Sequence, residues 1–554
     1  RFTDVSKEAG LYQSNLGYGL GVAVADFNND GWEDIYVGND FHENDYYYIN
    51  QKNGSFKEDG ANHFGHYSRF SMGNDAADYN NDGQMDVLTV DMLPPDEKTL
   101  KTYGSDENPE IYNLKLIFNG YQNQSSRNCL QRNNGNGSSY SDIGLMAGVS
   151  ATDWSWCPLF TDFDNDGKKD LFITSGIVKR PVDLDFIRFS SDLKNHGMDA
   201  TDANDKEVIS KMPDGASHPF FYKGDGKYSF KDMSENWGTA KMKGYFNGAA
   251  YADFDNDGKM DVVVNCLDTT AVFFKNDFAE KKNYLTLSFK GDSMNTFGLG
   301  VKAYVYANGQ VQYQQLMLSR GFQSSSEPRL HFGLDTLGHA DSILIVWPDQ
   351  HYQLLRNVAA NKIITITKKA AAEIYDAGLF FPPVKPLLEN ITDSMGLNWT
   401  HSENGFIDFN SQYLIPHKES TRGPKMAIAD VNGDGLEDFY VCGAKGQPGA
   451  LMIQQANGKF ISKDTGLFNQ YAICEDVDAV FFDANGDGKK DLWVVSGGNE
   501  MPASPVASAD RLFFNDGKGN FTPALANIPH IYENKSCITV ADIDKDGDMD
   551  VFIG

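Results

Sequence analysis

Seven times along this chain the same nine-residue pattern returns. The copies are DFNNDGWED (26–34), DYNNDGQMD (78–86), DFDNDGKKD (162–170), DFDNDGKMD (253–261), DVNGDGLED (430–438), DANGDGKKD (483–491) and DIDKDGDMD (542–550). Every copy has Asp at positions one, five and nine, Asn or Asp at three, and Gly at six. A recurring unit confines the fold to an array of like supersecondary elements. The flanks say which kind. Runs such as GVAVAD and AIAD precede the loops, and DIYVG, DVLTV, DLFIT, DVVVN, DFYVC, DLWVV and DVFIG overlap their ends. These are short and rich in β-branched and aromatic residues, so each loop is expected to join two strands.

The spacing is that of a calcium loop. Calcium takes six to eight hard oxygen ligands, and alternate residues of a tight loop can turn theirs toward one centre. The side-chain candidates are Asp26, Asn28, Asp30 and Asp34; Asp78, Asn80, Asp82 and Asp86; Asp162, Asp164, Asp166 and Asp170; Asp253, Asp255, Asp257 and Asp261. In the later copies they are Asp430, Asn432, Asp434 and Asp438; Asp483, Asn485, Asp487 and Asp491; Asp542, Asp544, Asp546 and Asp550. Position seven (Trp32, Gln84, Lys168, Lys259, Leu436, Lys489, Asp548) varies freely, as expected of a residue that coordinates through its backbone carbonyl. Glycine at six permits the sharp bend. Up to seven calcium ions are therefore expected. An EF-hand would need a bidentate Glu at position twelve and flanking helices. Position twelve here is Val37, Thr89, Ile173, Val264, Val441, Val494 and Ile553, so the EF-hand is excluded.

Several copies continue into a hairpin pattern, as in YYYINQKNGSFKEDG (46–60) and RLFFNDGKGNFT (511–522). Four strands per repeat describe a β-propeller blade. The reading is an all-β chain: residues 1–282 hold four blades with insertions at 94–125 and 180–218, the latter with an amphipathic helix around 185–193. Residues 283–368 form a separate β-sandwich-like domain, 369–386 a linker, and 387–554 three further blades, the last without its outer pair. LLENITDSMGL (387–397) echoes RFTDVSKEAGL (1–11), which favours the start of a second propeller; the alternative is one seven-bladed ring.

The net charge of −29 argues against nucleic acid or an anionic membrane as partner. Much of it lies in the loops, and seven calcium ions would reduce it to about −15. No run of eighteen apolar residues marks a transmembrane helix. The chain opens at Arg1 without a leader, which is read as a processed mature chain or a fragment; the strand-like run before Gly554 favours a fragment, and a possible lipid anchor would lie outside it. Six cysteines lie far apart, and no disulfide framework is expected.

The loops resemble the FG-GAP/VCBS calcium loops of integrin-like propellers. SRGFQSSSEPRLHFGLD (319–335) and IVWPDQ (345–350) resemble the ASPIC/UnbV domain. Together they are similar to the cartilage acidic protein-like family, in the large form of Bacteroidota surface proteins. That resemblance implies an exported, calcium-loaded propeller at the cell surface and no established activity. Three repeats follow the ASPIC/UnbV-like region here, whereas in shorter members it comes last.

No HExxH, GxSxG or P-loop occurs. His63 and His66 lack a partner motif, and Trp154 and Trp156 are read as packing between blades. The functional expectation is a scaffold that binds other surface proteins or glycans. The rival is a carbohydrate-active lyase or hydrolase on the same fold, which needs an acid–base set outside the loops.

Overall fold

The computed structural model describes residues 2–12, 15–104, 109–195, 202–292, 294–368, 371, 373–380, 387–500 and 506–554. Residues 381–386 of the expected linker, 105–108 of the first insertion and 196–201 of the second lie outside the described residues. The chain divides into two compact units, Arg1–Pro383 and Val384–Gly554.

Each loop joins two antiparallel strands, in one register throughout. The residue before position one pairs with position nine: Ala25 with Asp34, Ala77 with Asp86, Thr161 with Asp170, Ala252 with Asp261, Ala429 with Asp438, Phe482 with Asp491 and Ala541 with Asp550. Positions one to eight thus form the turn. The pairing exists because β-branched and aromatic residues fill the strands after position nine; Leu171, Phe172 and Ile173 are buried on both faces of their sheet.

Five of the seven sheets are four-stranded meanders. Repeat 1 uses Tyr18–Ala25, Asp34–Asp40, Tyr46–Asn50 and Phe56–Glu58. Repeat 2 uses Asn74–Ala77, Asp86–Thr89, Cys129–Asn133 and Tyr140–Asp142. Repeat 3 uses Ser155–Thr161, Asp170–Ser175, Phe220–Gly224 and Phe230–Asp232. Repeats 5 and 6, in the second unit, follow the same plan from Met426–Ala429 to Phe460–Lys463 and from Asp476–Phe482 to Phe521–Pro523. Repeat 7 is the strand pair Ile538–Ala541 and Asp550–Ile553.

Repeat 4 departs from the expected four strands. It has Phe246–Ala252, Asp261–Cys266 and Val272–Phe274, after which the chain runs out through Lys282 into another sheet. The insertions lie between second and third strands of repeats 2 and 3. The first carries helices Glu97–Thr102 and Pro109–Phe118, and the second carries Leu184–Asn195, where a helix is expected, and Asp202–Lys211.

Residues from Asn283 to Ile374 form a three-stranded and a five-stranded sheet around one core, in which Leu285, Leu287, Val305, Ile343, Ile345 and Trp347 are buried. Pairing there is antiparallel except between Asn283–Lys290 and Lys362–Thr367. This body belongs to the first unit. Its short hairpin at 319–325 touches the first strand of each of repeats 1–4. Gly321 exchanges backbone hydrogen bonds with Asn74 at 2.8 and 3.3 Å. At φ +67° it is in the left-handed region, and a Cβ there would fall on Cys157 Sγ.

Trp154 is buried, and Trp156 packs on Phe322 with ring centroids 5.0 Å apart. All six cysteines are free thiols. Among the described residues no helix is long and apolar enough to cross a membrane.

Candidate metal loops

The first Asp of every loop is a clamp on the loop's own backbone. The N–H of the position-six glycine donates to it in all seven copies, from 2.7 Å at Gly31, Gly167 and Gly488 to 3.3 Å at Gly547. The position-five N–H donates to it as well in the first six, for example Asp82 to Asp78 at 3.0 Å. Position seven (Trp32, Gln84, Lys168, Lys259, Leu436, Lys489, Asp548) donates its N–H to the position-five carboxylate at 2.9–3.1 Å. These bonds fold positions one, three and five inward on one another.

The ninth Asp has a second duty. In repeats 1–6 its Oδ1 accepts an N–H from the end of the third strand, from Asn50, Asn133, Gly224, Asn276, Gln454 or Asn515, at 2.8–3.1 Å. In six loops the other oxygen accepts the position-two N–H, as Asp170 does from Phe163 at 3.0 Å. Position nine therefore ties the loop to the middle of its sheet.

The donor set fits a hard cation. Carboxylate oxygens of Asp162, Asp164 and Asp170, of Asp253, Asp255 and Asp257, and of Asp542, Asp544 and Asp550 lie within 4.8 Å of one another. Two buried loop oxygens, Asp34 Oδ2 and Asp542 Oδ1, have no hydrogen-bond partner. Without a cation the crowding is costly: burial, with neighbouring carboxylates adding, pushes Asp34 and Asp162 up to about 7 and Asp78 up to about 8. Asp86 and Asp170 rise well above the usual range for the same reasons. Lysines answer part of this charge. Lys223 reaches Asp164 and lies 2.9 Å from Asp166, and Lys275 lies 2.7 Å from Asp255.

The FG-GAP-like repeat model matches residues 8–89, 205–264, 430–494 and 483–553, and the ASPIC and UnbV model matches 291–373. This chain carries FG-GAP-like repeats and an ASPIC and UnbV domain. The loop at 162–170 falls outside the matched stretches yet makes the same hydrogen bonds as the others. No curated protein matches the chain. Similar solved structures include an Agrocybe aegerita lectin that recognises non-reducing terminal N-acetylglucosamine (13% identity, 94% of this chain and 82% of that chain, TM-score 0.23). Others are the V. cholerae biofilm matrix protein Bap1 (10%, 96% and 73%, 0.21) and a Bacillus licheniformis rhamnogalacturonan lyase (11%, 97% and 73%, 0.18). At such TM-scores none of them supports an argument about this chain.

The ASPIC and UnbV domain supplies side chains to the repeats that the sequence did not reveal. Lys302, buried, reaches Asp26 of the first loop, and Gln315 accepts the Asp26 N–H at 3.2 Å while donating to Glu33 at 2.6 Å. His331 donates from Nε2 to Asn165 in the third loop at 2.7 Å; burial and the nearby Lys169 ammonium push its pKa down to about 3. Arg320 forms a buried pair with Asp75 of repeat 2 at 2.9 Å, and Asp75 also accepts the Phe160 N–H of repeat 3 at 2.7 Å.

Position four joins one loop to the next. Asn29, Asn81 and Asn165, all at positive φ, donate to Gln84 Oε1, Gly167 O and Gly258 O of the next loop at 2.9–3.0 Å. Side-chain amides thus stitch loops 1 to 4 in series.

The histidines singled out by the sequence sit in repeats 1 and 2. His63 contacts Gly137 O and Asp59 at 2.5 and 3.2 Å. His66 Nε2 lies 2.9 Å from Asp142 and 3.7 Å from Cys129 Sγ. One nitrogen facing both groups cannot relay a proton between them, and burial holds the Cys129 thiol well above its ordinary range. Arg127, 2.5 Å from Asp142, already supplies the local cation.

Proposed function

We propose that this chain is a calcium-stapled β-propeller scaffold, exported to a bacterial outer surface, that binds other surface proteins or glycans. Each sheet is read as a blade. In each loop the oxygens of positions one, three, five and nine, with the position-seven carbonyl, would hold one ion. Calcium would neutralise carboxylates that burial otherwise forces toward protonation, and so lock the first two strands of each blade together. The single observation that carries this reading is the inward-folded carboxylate set, repeated at fixed spacing in all seven loops.

Binding rather than catalysis is the favoured activity because the acidic groups converge in the loops, where calcium would leave them no proton role. The helical insertions of repeats 2 and 3 are the natural recognition elements, since variable excursions from a rigid scaffold carry function most often. Cross-linking on intact cells followed by mass spectrometry tests the proposal. A recurrent surface protein or glycoconjugate, captured with calcium and lost on chelation, is expected. Turnover of a polysaccharide by the purified chain would instead establish the lyase or hydrolase reading.

A further inference from the structure

In repeats 1–3, 5 and 6 the outer edge of the third strand is covered by a fourth strand that opens on an aromatic residue: Phe56, Tyr140, Phe230, Phe460 or Phe521. In repeats 2, 3 and 6 the ring drops between its own repeat and the one before. Tyr140 lies 6.0 Å from Tyr47 and stacks on Phe64 at 4.3 Å. Phe230 lies 5.7 Å from Tyr79, position two of the preceding loop, and Phe521 shares a core cluster with Val431, position two of loop 5. The backbone seals the edge. Tyr47, Leu130, Phe221 and Leu512 carbonyls accept N–H bonds from the chain leaving the fourth strand, at 2.7–3.0 Å.

Repeat 4 keeps this seat but has no fourth strand to fill it. Among the described residues nothing pairs with the outer edge of Val272–Phe274. Phe273 stands three residues before Asn276, the residue that reaches position nine, as Tyr47, Leu130 and Leu512 stand before Asn50, Asn133 and Asn515. Where the fourth-strand ring would lie there is a hollow of about 580 Å³, lined by Phe163, Phe221, Trp237, Met260, Val262 and Phe274. Phe163 is position two of loop 3, the counterpart of Tyr79. The tail beyond each fourth strand gives a second sign. Gly148, beyond the fourth strand of repeat 2, faces the Phe230 carbonyl oxygen of repeat 3, whereas Gly238, at the same point of repeat 3, faces nothing within 4 Å.

We propose that this hollow accepts an extended strand from a partner polypeptide, carrying an aromatic residue followed two positions later by Asp or Glu. Strand addition to an exposed edge draws affinity from main-chain hydrogen bonds and specificity from a side-chain pocket. The aromatic requirement follows from the three filled seats of repeats 2, 3 and 6. The acid follows from repeats 1 and 2, where Glu58 accepts the Tyr47 N–H at 3.3 Å and Asp142 the Leu130 N–H at 3.1 Å. The Phe273 N–H is the equivalent donor here. This inference deepens the scaffold reading and rests on it.

The probe is the peptide RFTDVSKEAGL, which has the required pattern, labelled and titrated into the full chain in calcium buffer with anisotropy as readout. Saturable one-to-one binding is expected, weakened by about tenfold or more when the peptide's Phe is replaced by Ser. Trp237→Ala should weaken it similarly while keeping the circular dichroism spectrum. Absence of saturation by a chain whose melt still responds to calcium would overturn the strand site and spare the scaffold. Equal binding of the Phe and Ser peptides would overturn it too, as would occupation of the hollow by an oligosaccharide that excludes the peptide. Binding by a chain indifferent to chelation would support the site and remove the calcium reading.

Discussion

The two units spell the same nine-residue loop and surround it differently. In Arg1–Pro383 the first Asp of each loop is buried; in Val384–Gly554, Asp430, Asp483 and Asp542 are half-exposed. The electrostatics follow. Asp78 is driven up to about 8 by burial and Asp82, whereas at Asp430 a weaker burial effect is overcome by N–H bonds from Gly435 and Gly433, and its pKa falls. Position four differs as well: Asn in loops 1–4, but Gly433, Gly486 and Lys545 in loops 5–7. One stitch is common to both units. Asn133, Asn276 and Asn515 each donate to the position-two carbonyl of the preceding loop, at 2.7–2.9 Å. The loop motif thus sets local geometry, while the ASPIC and UnbV domain and position four set how tightly loops are buried and joined.

The sharpest way to break this comparison lies at the inner strands. Asp75 in the first unit and Asp478 in the second both accept an N–H from the next repeat's first strand. Asp75 is capped by Arg320, 9% exposed at its side chain, and Asp478 by Lys425, 39% exposed and 3.7 Å away. Arg320→Ala should cost about 3–5 kcal/mol, because it strands a buried carboxylate. Lys425→Ala should cost about 1 kcal/mol or less. Denaturant unfolding of both variants checks this, and equal losses would erase the distinction.

A smaller effect is expected from pH. Burial pushes Asp45 up to about 7 in the first unit and Glu475 up to about 8 in the second, the latter with help from Glu403 and Glu500. A raised carboxylate binds its proton more tightly folded than unfolded. Its contribution is therefore present near pH 4 and lost as pH rises toward 7 or 8. Asp45→Asn and Glu475→Gln should flatten the fall in stability between pH 5 and pH 8, measured by urea midpoints. An unchanged slope in both would contradict the assignment.

Smallest is the position-four exchange. Asn81→Gly copies the second unit into the first, losing one hydrogen bond to Gly167 while relieving a left-handed Asn. A net loss of about 1 kcal/mol or less is expected. Its signature is faster amide exchange in loops 2 and 3. Exchange that stays unchanged there would show that the amide stitch couples nothing.

The loops and their strands were legible because chain reversal and the loop's own carboxylate-to-backbone hydrogen bonds fix residue type at each position. Val37 and its counterparts were enough to replace flanking helices with strands. The ASPIC and UnbV contribution was not legible, since Lys302 meets Asp26 across 276 residues and leaves no local pattern. The missing fourth strand of repeat 4 was hidden for a related reason. VFFKND (272–277) reads like the other third strands, and only the topology shows where the chain goes next.

The account stands on calcium as the staple. Scanning calorimetry of the full chain with millimolar calcium, and again after exhaustive chelation, tests that most directly. The account predicts a markedly lower melting temperature after chelation, restored when calcium is returned. Superimposable scans would contradict it.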